Sequence, residues 1–109
     1  MTNETDEIAF LRVQVNRDND SSFLVLLYDF CYIDKKIFKK ILKICLETEI
    51  EDKNLRAEIL DILHFTTYLM LCHRDKKDAY KIKNFKKVEE RFGDYFQTMR
   101  QIGRKFITQ

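Results

Sequence analysis

Two histidines and three cysteines are the residues of this chain whose chemistry best suits catalysis or metal binding. His64 and His73 are nine positions apart, so a helix that contained both would point them to opposite sides. Cys72 and His73 are adjacent in sequence and would also diverge. The chain contains no HExxH sequence and no glycine-rich phosphate loop. These spacings predict neither a metal site nor a bound cofactor.

One arrangement with catalytic potential pairs His64 with Arg56. An arginine and a histidine a few positions apart on one helix would suit a small helical ribonuclease, with the histidine as the base. Here the two are eight positions apart, which places them about 80° apart around a helix axis. A neutral imidazole packed near the core explains His64 more simply, because large apolar residues surround it in sequence. We therefore expect no enzyme activity and keep a small helical ribonuclease as the weaker alternative.

Lysines concentrate in two segments that could bind nucleic acid. Residues 34–43 carry five lysines against Asp34, and residues 74–87 carry seven basic and two acidic residues. The second segment includes Tyr80 and Phe85, and nucleic-acid surfaces combine cations that neutralise phosphates with aromatic rings that stack on bases. A solvated helix face explains the same lysines. Nucleic-acid binding by the lysine-rich faces 35–43 and 74–87 is therefore the alternative function.

Helices must position all of these residues. Two glycines and no proline in 109 residues leave few turn-forming residues, which disfavours a β-sandwich or barrel and favours long helices with short links. A chain of this length, 45% hydrophobic and 35% charged, is large enough to bury a core as one domain. We predict a single all-α domain, 1–109, folded as a compact antiparallel bundle of four or five helices.

The acidic N-terminal segment, residues 1–20, fits two conformations. The stretch AFLRVQV alternates apolar and polar residues as a strand does, whereas Ile8, Leu11 and Val15 fit one face of a helix. A lone strand in a helical chain would lack a partner, unless SFLVLLY returned across NRDND as a hairpin or a second protein supplied a strand. We expect residues 8–15 to form a short helix or an extended arm.

Three helix N-termini are predicted at Ser22, Asp34 and Asn54, because these residue types commonly cap helices. The helix after Asp34 is amphipathic, with its lysines opposite an apolar face. The helix of residues 54–73, approximately, has almost no polar side between residues 62 and 72. A helix that is apolar all round is central or lies at an interface, so we predict that it forms the centre of the bundle.

The C-terminal segment carries a regular apolar seam. Its large apolar residues alternate at spacings of three and four positions: Phe85, Val88, Phe92, Tyr95, Met99, Ile102 and Phe106. This spacing forms one stripe along a helix. We predict one helix of about residues 84–106, straight or bent, that packs on the central apolar helix. The alternative is a break at Gly93, with Asp94 capping a new helix.

Apolar side chains are left over when a small bundle has covered its most apolar helix, which favours a groove or a subunit interface. We therefore predict a non-catalytic protein-interaction module, such as an adaptor, an assembly subunit or a small inhibitor. It would bind a protein partner, a second copy of itself as an oligomer, or both, with charged faces steering the encounter. The residues predicted to bind are Phe38, Tyr80, Phe92, Tyr95 and Phe96, with Lys39, Lys40, Lys83 and Lys87 as a charged rim.

The location expected for this protein is intracellular, either cytoplasmic or nuclear. The acidic start MTNETDE is unlike a signal peptide. The longest runs nearly free of charge, FLVLLYDFCYI and ILHFTTYLMLC, are about half the length of a membrane helix, so we expect no membrane contact. An odd number of cysteines without framework spacing indicates a reducing compartment. The small size and lysine-rich composition are compatible with a viral or phage origin.

Overall fold

The structure, a computed structural model, describes residues 4–108, except for the side chains of Lys87 and Phe92. Six α-helices and no strand occur in this part of the chain, which confirms the all-α fold class. They are α1 (Asp6–Gln14), α2 (Phe23–Asp29), α3 (Lys35–Glu47), α4 (Lys53–Arg74), α5 (Phe85–Glu89) and α6 (Phe92–Thr108).

The N-terminal segment is helical, which decides between the two conformations expected for it. α1 begins after Thr5, whose side-chain oxygen accepts a hydrogen bond from the Ile8 amide. Leu11 is buried in the core. Gln14 is also buried, and its Oε1 accepts a hydrogen bond of 2.9 Å from the Phe23 amide at the start of α2. Residues 1–3 of the predicted acidic segment lie outside the described range.

Each of the next three helices has an N-cap residue whose side chain accepts a hydrogen bond from the first turn. Ser22 and Asp34 cap α2 and α3, as predicted. The predicted cap of α4, Asn54, is wrong, because Asp52 accepts hydrogen bonds from the amides of Asn54 and Leu55. A carboxylate at this position also interacts favourably with the positive end of the helix dipole. The central helix nevertheless runs close to its predicted range.

The C-terminal helix is divided, which corrects the prediction of one continuous helix over residues 84–106. α5 has five residues, and a turn at residues 90–91 separates it from α6. Gly93 lies inside α6 and not at the break. In the turn, the Arg91 amide donates to the carbonyl of Val88. The seven-residue spacing of the seam is the same on both sides of the turn, so periodicity alone does not reveal the break.

The seam is covered by the chain itself. All of its members with described side chains are buried, and they belong to the core cluster: Phe85, Val88, Tyr95, Met99, Ile102 and Phe106. α6 packs against both α3 and α4. The Thr67 hydroxyl of α4 lies 3.8 Å from Met99 Sδ, and Gly103 faces the side chain of Leu60. The side chain of Phe92 lies outside the described part.

His73 holds the link between α4 and α5. Its Nδ1 accepts a hydrogen bond of 2.8 Å from the Ile82 amide, and its ring stacks on Phe85 with centroids 4.1 Å apart. Lys81 Nζ donates to the carbonyls of His73 and Asp75 at 2.9 and 2.7 Å. Burial lowers the pKa of His73, the charge of Lys81 lowers it further, and Glu89 acts in the opposite direction.

We expect the protein to lose stability as the pH falls below about 6.5, the usual pKa of histidine. The unfolded chain then binds a proton that the folded His73 resists, so the free energy of unfolding decreases as pH falls toward the folded pKa. H73N keeps a hydrogen-bond acceptor but cannot be protonated in this pH range. Its free energy of unfolding, measured with urea, should therefore change less between pH 7.5 and 5.5 than that of the wild type. H64N, which replaces the exposed histidine, is the control. Equal pH dependence in the wild type and H73N would contradict this role.

Candidate functional site

An exposed group of apolar side chains lies on α2 and α4, and we call it the aromatic surface: Tyr28, Phe65, Tyr68 and Leu71. Tyr28 and Tyr68 are each 60% exposed and Leu71 is 54% exposed. The ring centroids of Tyr28 and Phe65 are 5.5 Å apart, and those of Phe65 and Tyr68 are 6.4 Å apart. The rings therefore join α2 to α4 in one continuous contact.

The aromatic surface exists because α4 is apolar on more sides than its neighbours cover. One side of α4 is in the core: Leu55, Ile59, Ile62, Leu63, Thr66, Leu69 and Met70. A helix of 22 residues is about 33 Å long, whereas α2 has only seven residues and reaches a small part of it. The C-terminal half of α4 consequently presents Tyr68 and Leu71 to solvent.

A groove adjoins the aromatic surface. It consists of two neighbouring clefts, of about 490 and 570 Å³, that share Arg17, Leu24 and Asp61. The first cleft lies between the end of α1 and the N-terminal half of α4. The second reaches Tyr28 and Phe65. The groove has both polar and apolar lining residues, and it continues into the aromatic surface.

The rim of the groove is predominantly acidic. Arg12 also lines the groove, but it already forms ion pairs with Glu4 and, at 3.0 Å, with Asp52. Hydrogen bonds to these carboxylates raise the pKa of Arg12, and the bond from Arg12 lowers the pKa of Asp52. The other charged residues of the groove are Arg17 on one side and three carboxylates, Asp29, Glu58 and Asp61. None of these four forms an ion pair with another residue of the described range.

Two of the residues predicted to bind a partner lie in the core. Phe38 is fully buried between Phe23, at a centroid distance of 5.3 Å, and Tyr95, at 4.9 Å. Tyr95 is also buried, and within residues 4–108 its hydroxyl has no hydrogen-bond partner. Burial raises the pKa of this hydroxyl. Neither ring can contact another protein while the chain keeps this fold.

The other predicted aromatic residues also face inward or are not described. Tyr80 is partly buried, and its hydroxyl donates a hydrogen bond of 2.6 Å to the Leu27 carbonyl, while burial raises its pKa. Phe96 is partly buried against the core. The side chain of Phe92 lies outside the described part, as does that of Lys87. A contact between any of these residues and a partner stays a prediction.

The predicted lysine rim is mostly on the surface. Lys39, Lys40 and Lys83 are exposed, and Lys40 Nζ lies 4.2 Å from the centre of the Phe10 ring. The two lysine-rich segments meet at one junction. There the Asn84 side chain bonds to both the amide and the carbonyl of Ile33, at 3.0 and 2.6 Å. This junction brings the N-terminus of α3 next to the start of α5.

The residues with catalytic potential are not assembled into a site in the described part. His64 is exposed on α4. Arg56 donates to the carbonyls of Ile50 and Glu51, where it supports the start of α4. Within residues 4–108, no group of three or more His, Cys, Asp or Glu side chains could hold a metal ion.

The cysteines are all free thiols. Burial raises the pKa of the Cys45 thiol to about 12, so it stays protonated near neutral pH. Cys72 lies at the edge of the aromatic surface, close to Tyr68 and Asp78. Its pKa is also raised, chiefly by loss of contact with water. A raised pKa makes a thiol a weaker nucleophile at neutral pH.

Comparison of the chain with protein-family models, with curated proteins and with solved structures found no match. In the part of the chain that the structure describes, no helix combines the length and apolar composition needed to cross a bilayer.

The sequence contained a signal for the aromatic surface. Phe65, Tyr68 and Leu71 lie on the sides of α4 that the C-terminal helix cannot cover, which follows from the lack of polar residues between 62 and 72. The aromatic residues predicted to bind are elsewhere: Phe92 and Tyr95 belong to the seam, Phe96 flanks it, Phe38 lies beside the aliphatic stripe of α3, and Tyr80 lies in the link between α4 and α5. The place of Tyr28 in the aromatic surface could not be predicted from the sequence, because it depends on contact with Phe65 of a different helix.

Proposed function

We propose that this chain is a non-catalytic helical protein-interaction module that binds a partner through the aromatic surface. The observation that supports the proposal is the exposure of Tyr28, Tyr68 and Leu71, joined through Phe65. Burying one large apolar side chain contributes about 1.5–3 kcal/mol. Tyrosine is enriched at the centre of protein interfaces because it combines apolar area with a polar group. An adaptor, an assembly subunit or a small inhibitor would work in this way.

The arrangement of the helices is part of the same proposal. We infer an antiparallel bundle, supported by the order of contacts between α4 and α6. Thr67 lies by Met99, whereas Leu60, which is earlier in α4, lies by Gly103, which is later in α6. In such a bundle α6 occupies one side of α4 and the aromatic surface is on another side. A partner can then bind without disturbing the core.

Site-specific photo-crosslinking tests the proposed function. A photoreactive phenylalanine at position 68, introduced in the organism that encodes the chain, should form a discrete protein adduct, with a partner or with a second copy. The control is the same group at position 107, where Ile107 is 80% exposed but lies on α6. In a second test, the photoreactive group is placed at position 28, and its adduct should disappear when Y68S/L71S is introduced. The two serine substitutions should change the free energy of unfolding by no more than about 0.5 kcal/mol per site. No discrete adduct at position 68, together with a monomeric mass by light scattering, would contradict the proposal.

Nucleic-acid binding is the second candidate, and the junction of Ile33 with Asn84 favours it. Lys36, Lys39, Lys83 and Lys86 are exposed on the two segments that this junction joins. If these lysines bind phosphates, the affinity for a labelled single-stranded RNA should fall steeply between 50 and 200 mM salt, by about 300-fold for six contacts. Binding to the aromatic surface should depend weakly on salt. An affinity for RNA that K36Q/K83Q leaves unchanged would exclude this surface.

A further inference from the structure

One face of α4 runs from the groove onto the aromatic surface and follows the repeat of a helix. Glu58, Asp61, Phe65, Tyr68 and Cys72 are spaced by three, four, three and four positions, which puts them on one side of α4. From Glu58 to Cys72 the stripe rises by fourteen residue steps, or about 21 Å at 1.5 Å per residue, and its first three members line the groove. Its first half is acidic and its second half is aromatic. The groove and the adjoining aromatic surface together match about four turns of another helix.

We propose that the groove binds an amphipathic helix of a partner protein whose apolar stripe is bordered by lysine or arginine. This inference rests on the proposed function and names the class of partner. The spacing of three and four positions along α4 suits an amphipathic helix laid beside it, and the described residues contain no strand edge that an extended peptide could join. Its apolar residues, at spacings of three or four, contact Leu24, Phe65 and Tyr68. Its basic residues face the carboxylates of the rim.

The charge of the rim decides between a basic and an acidic occupant. Three carboxylates, Asp29, Glu58 and Asp61, border the groove, whereas Arg17 is its only cation among described side chains that is not already paired. A helix with basic flanks therefore gains attraction along the rim, and one with acidic flanks is repelled. Asp29 lies beside Tyr28, and the other two carboxylates lie on α4. The attraction consequently extends over both ends of the groove.

A second copy of this chain does not supply the occupant. Among the described helices, α6 and α3 have basic residues beside an apolar face; that of α6 is the buried seam, and α3 has the other. That face is in the core of its own molecule, where Phe38, Ile41 and Ile44 are buried. α3 would have to leave the core to enter the groove of another copy. The occupant is therefore a different protein.

A display selection on the intact chain tests this inference. The probe is a library of helical peptides of 16 residues with apolar residues fixed at spacings of three and four and with lysine, glutamate and glutamine varied at the flanking positions. Selection should enrich lysine at the flanks. A selected peptide should bind E58Q/D61N about fivefold or more weakly, since rim ion pairs contribute up to about 1 kcal/mol each. E47Q/E49Q removes two exposed acidic residues outside the groove and should leave the affinity unchanged.

The Y68S/L71S variant separates this inference from the proposed function. If peptides are selected, depend on Tyr68 and Leu71, and show no preference for lysine, the basic partner is wrong while the aromatic surface remains a binding site. If no peptide is enriched over an empty display, the inference of a helical partner fails, and crosslinking from position 68 decides the proposed function. If Y68S/L71S binds the selected peptides as well as wild type does, the aromatic surface is not the binding site and both proposals fail. Enrichment of glutamate at the flanks would directly reverse the expected charge preference.

Discussion

Replacing Phe38 with alanine is expected to lower the free energy of unfolding by about 3–5 kcal/mol. Phe38 is fully buried, and its ring stacks nearly parallel on Phe23 and packs at 59° against Tyr95. Alanine removes the transfer free energy of the ring and leaves a cavity between α2, α3 and α6. For a domain whose total stability is about 5–15 kcal/mol, this loss is large. Urea unfolding followed by circular dichroism measures it.

Phe30 provides the matched control. It is a phenylalanine of the same chain, but it is 49% exposed at the end of α2. F30A should change the free energy of unfolding by less than about 1 kcal/mol, because an exposed ring loses little on truncation. If F38A were as stable as F30A, the ring of Phe38 would not be part of the core, and its predicted role in binding a partner would regain support.

The sequence pattern predicts Phe38 to bind a partner because it defines the apolar face of α3 by its aliphatic residues and Cys45 alone. That face consists of Ile37, Ile41, Ile44 and Cys45, and Phe38 lies beside it in the helical pattern. In the folded chain Phe38 is one turn before Ile41 and two turns before Cys45, and all three are buried. The buried face is therefore wider than the stripe of aliphatic residues. Its width depends on packing against α2 and α6, which the sequence of α3 does not contain.

Local features could be predicted, whereas features that depend on tertiary contacts could not. Caps at Ser22 and Asp34 were predicted because a capping side chain bonds within its own first turn. The extent of α4 and the burial of the seam also follow from local periodicity. The break at residues 90–91 and the groove beside α4 depend on how helices meet. The aromatic surface could be predicted in part. The sequence shows that α4 has more apolar sides than one neighbour can cover, but it does not show the contact of Phe65 with Tyr28.

Lys105 illustrates a contact that local sequence does not predict. α3 has no basic residue in its last turn, although the negative end of a helix dipole favours a cation there. Lys105 of α6 supplies the cation instead. Its Nζ donates hydrogen bonds to the carbonyls of Cys45, Leu46 and Thr48 at 2.8, 3.2 and 2.7 Å. These carbonyls at the end of α3 would otherwise lack helical partners.

Replacing Lys105 with methionine should lower the free energy of unfolding by about 2 kcal/mol. Hydrogen bonds that involve a charged group contribute about 1.5–3 kcal/mol, and the three bonds share one donor group, so their contributions do not add fully. Methionine keeps the aliphatic length of the side chain, which limits the loss to the ammonium group. Urea unfolding at pH 7 measures the difference, and R104M, which removes an exposed cation one residue earlier, should stay within about 0.5 kcal/mol of wild type. Equal stability of K105M and R104M would mean that water replaces the ammonium group at the end of α3 without cost, and that α3 and α6 are held together by their apolar contacts alone.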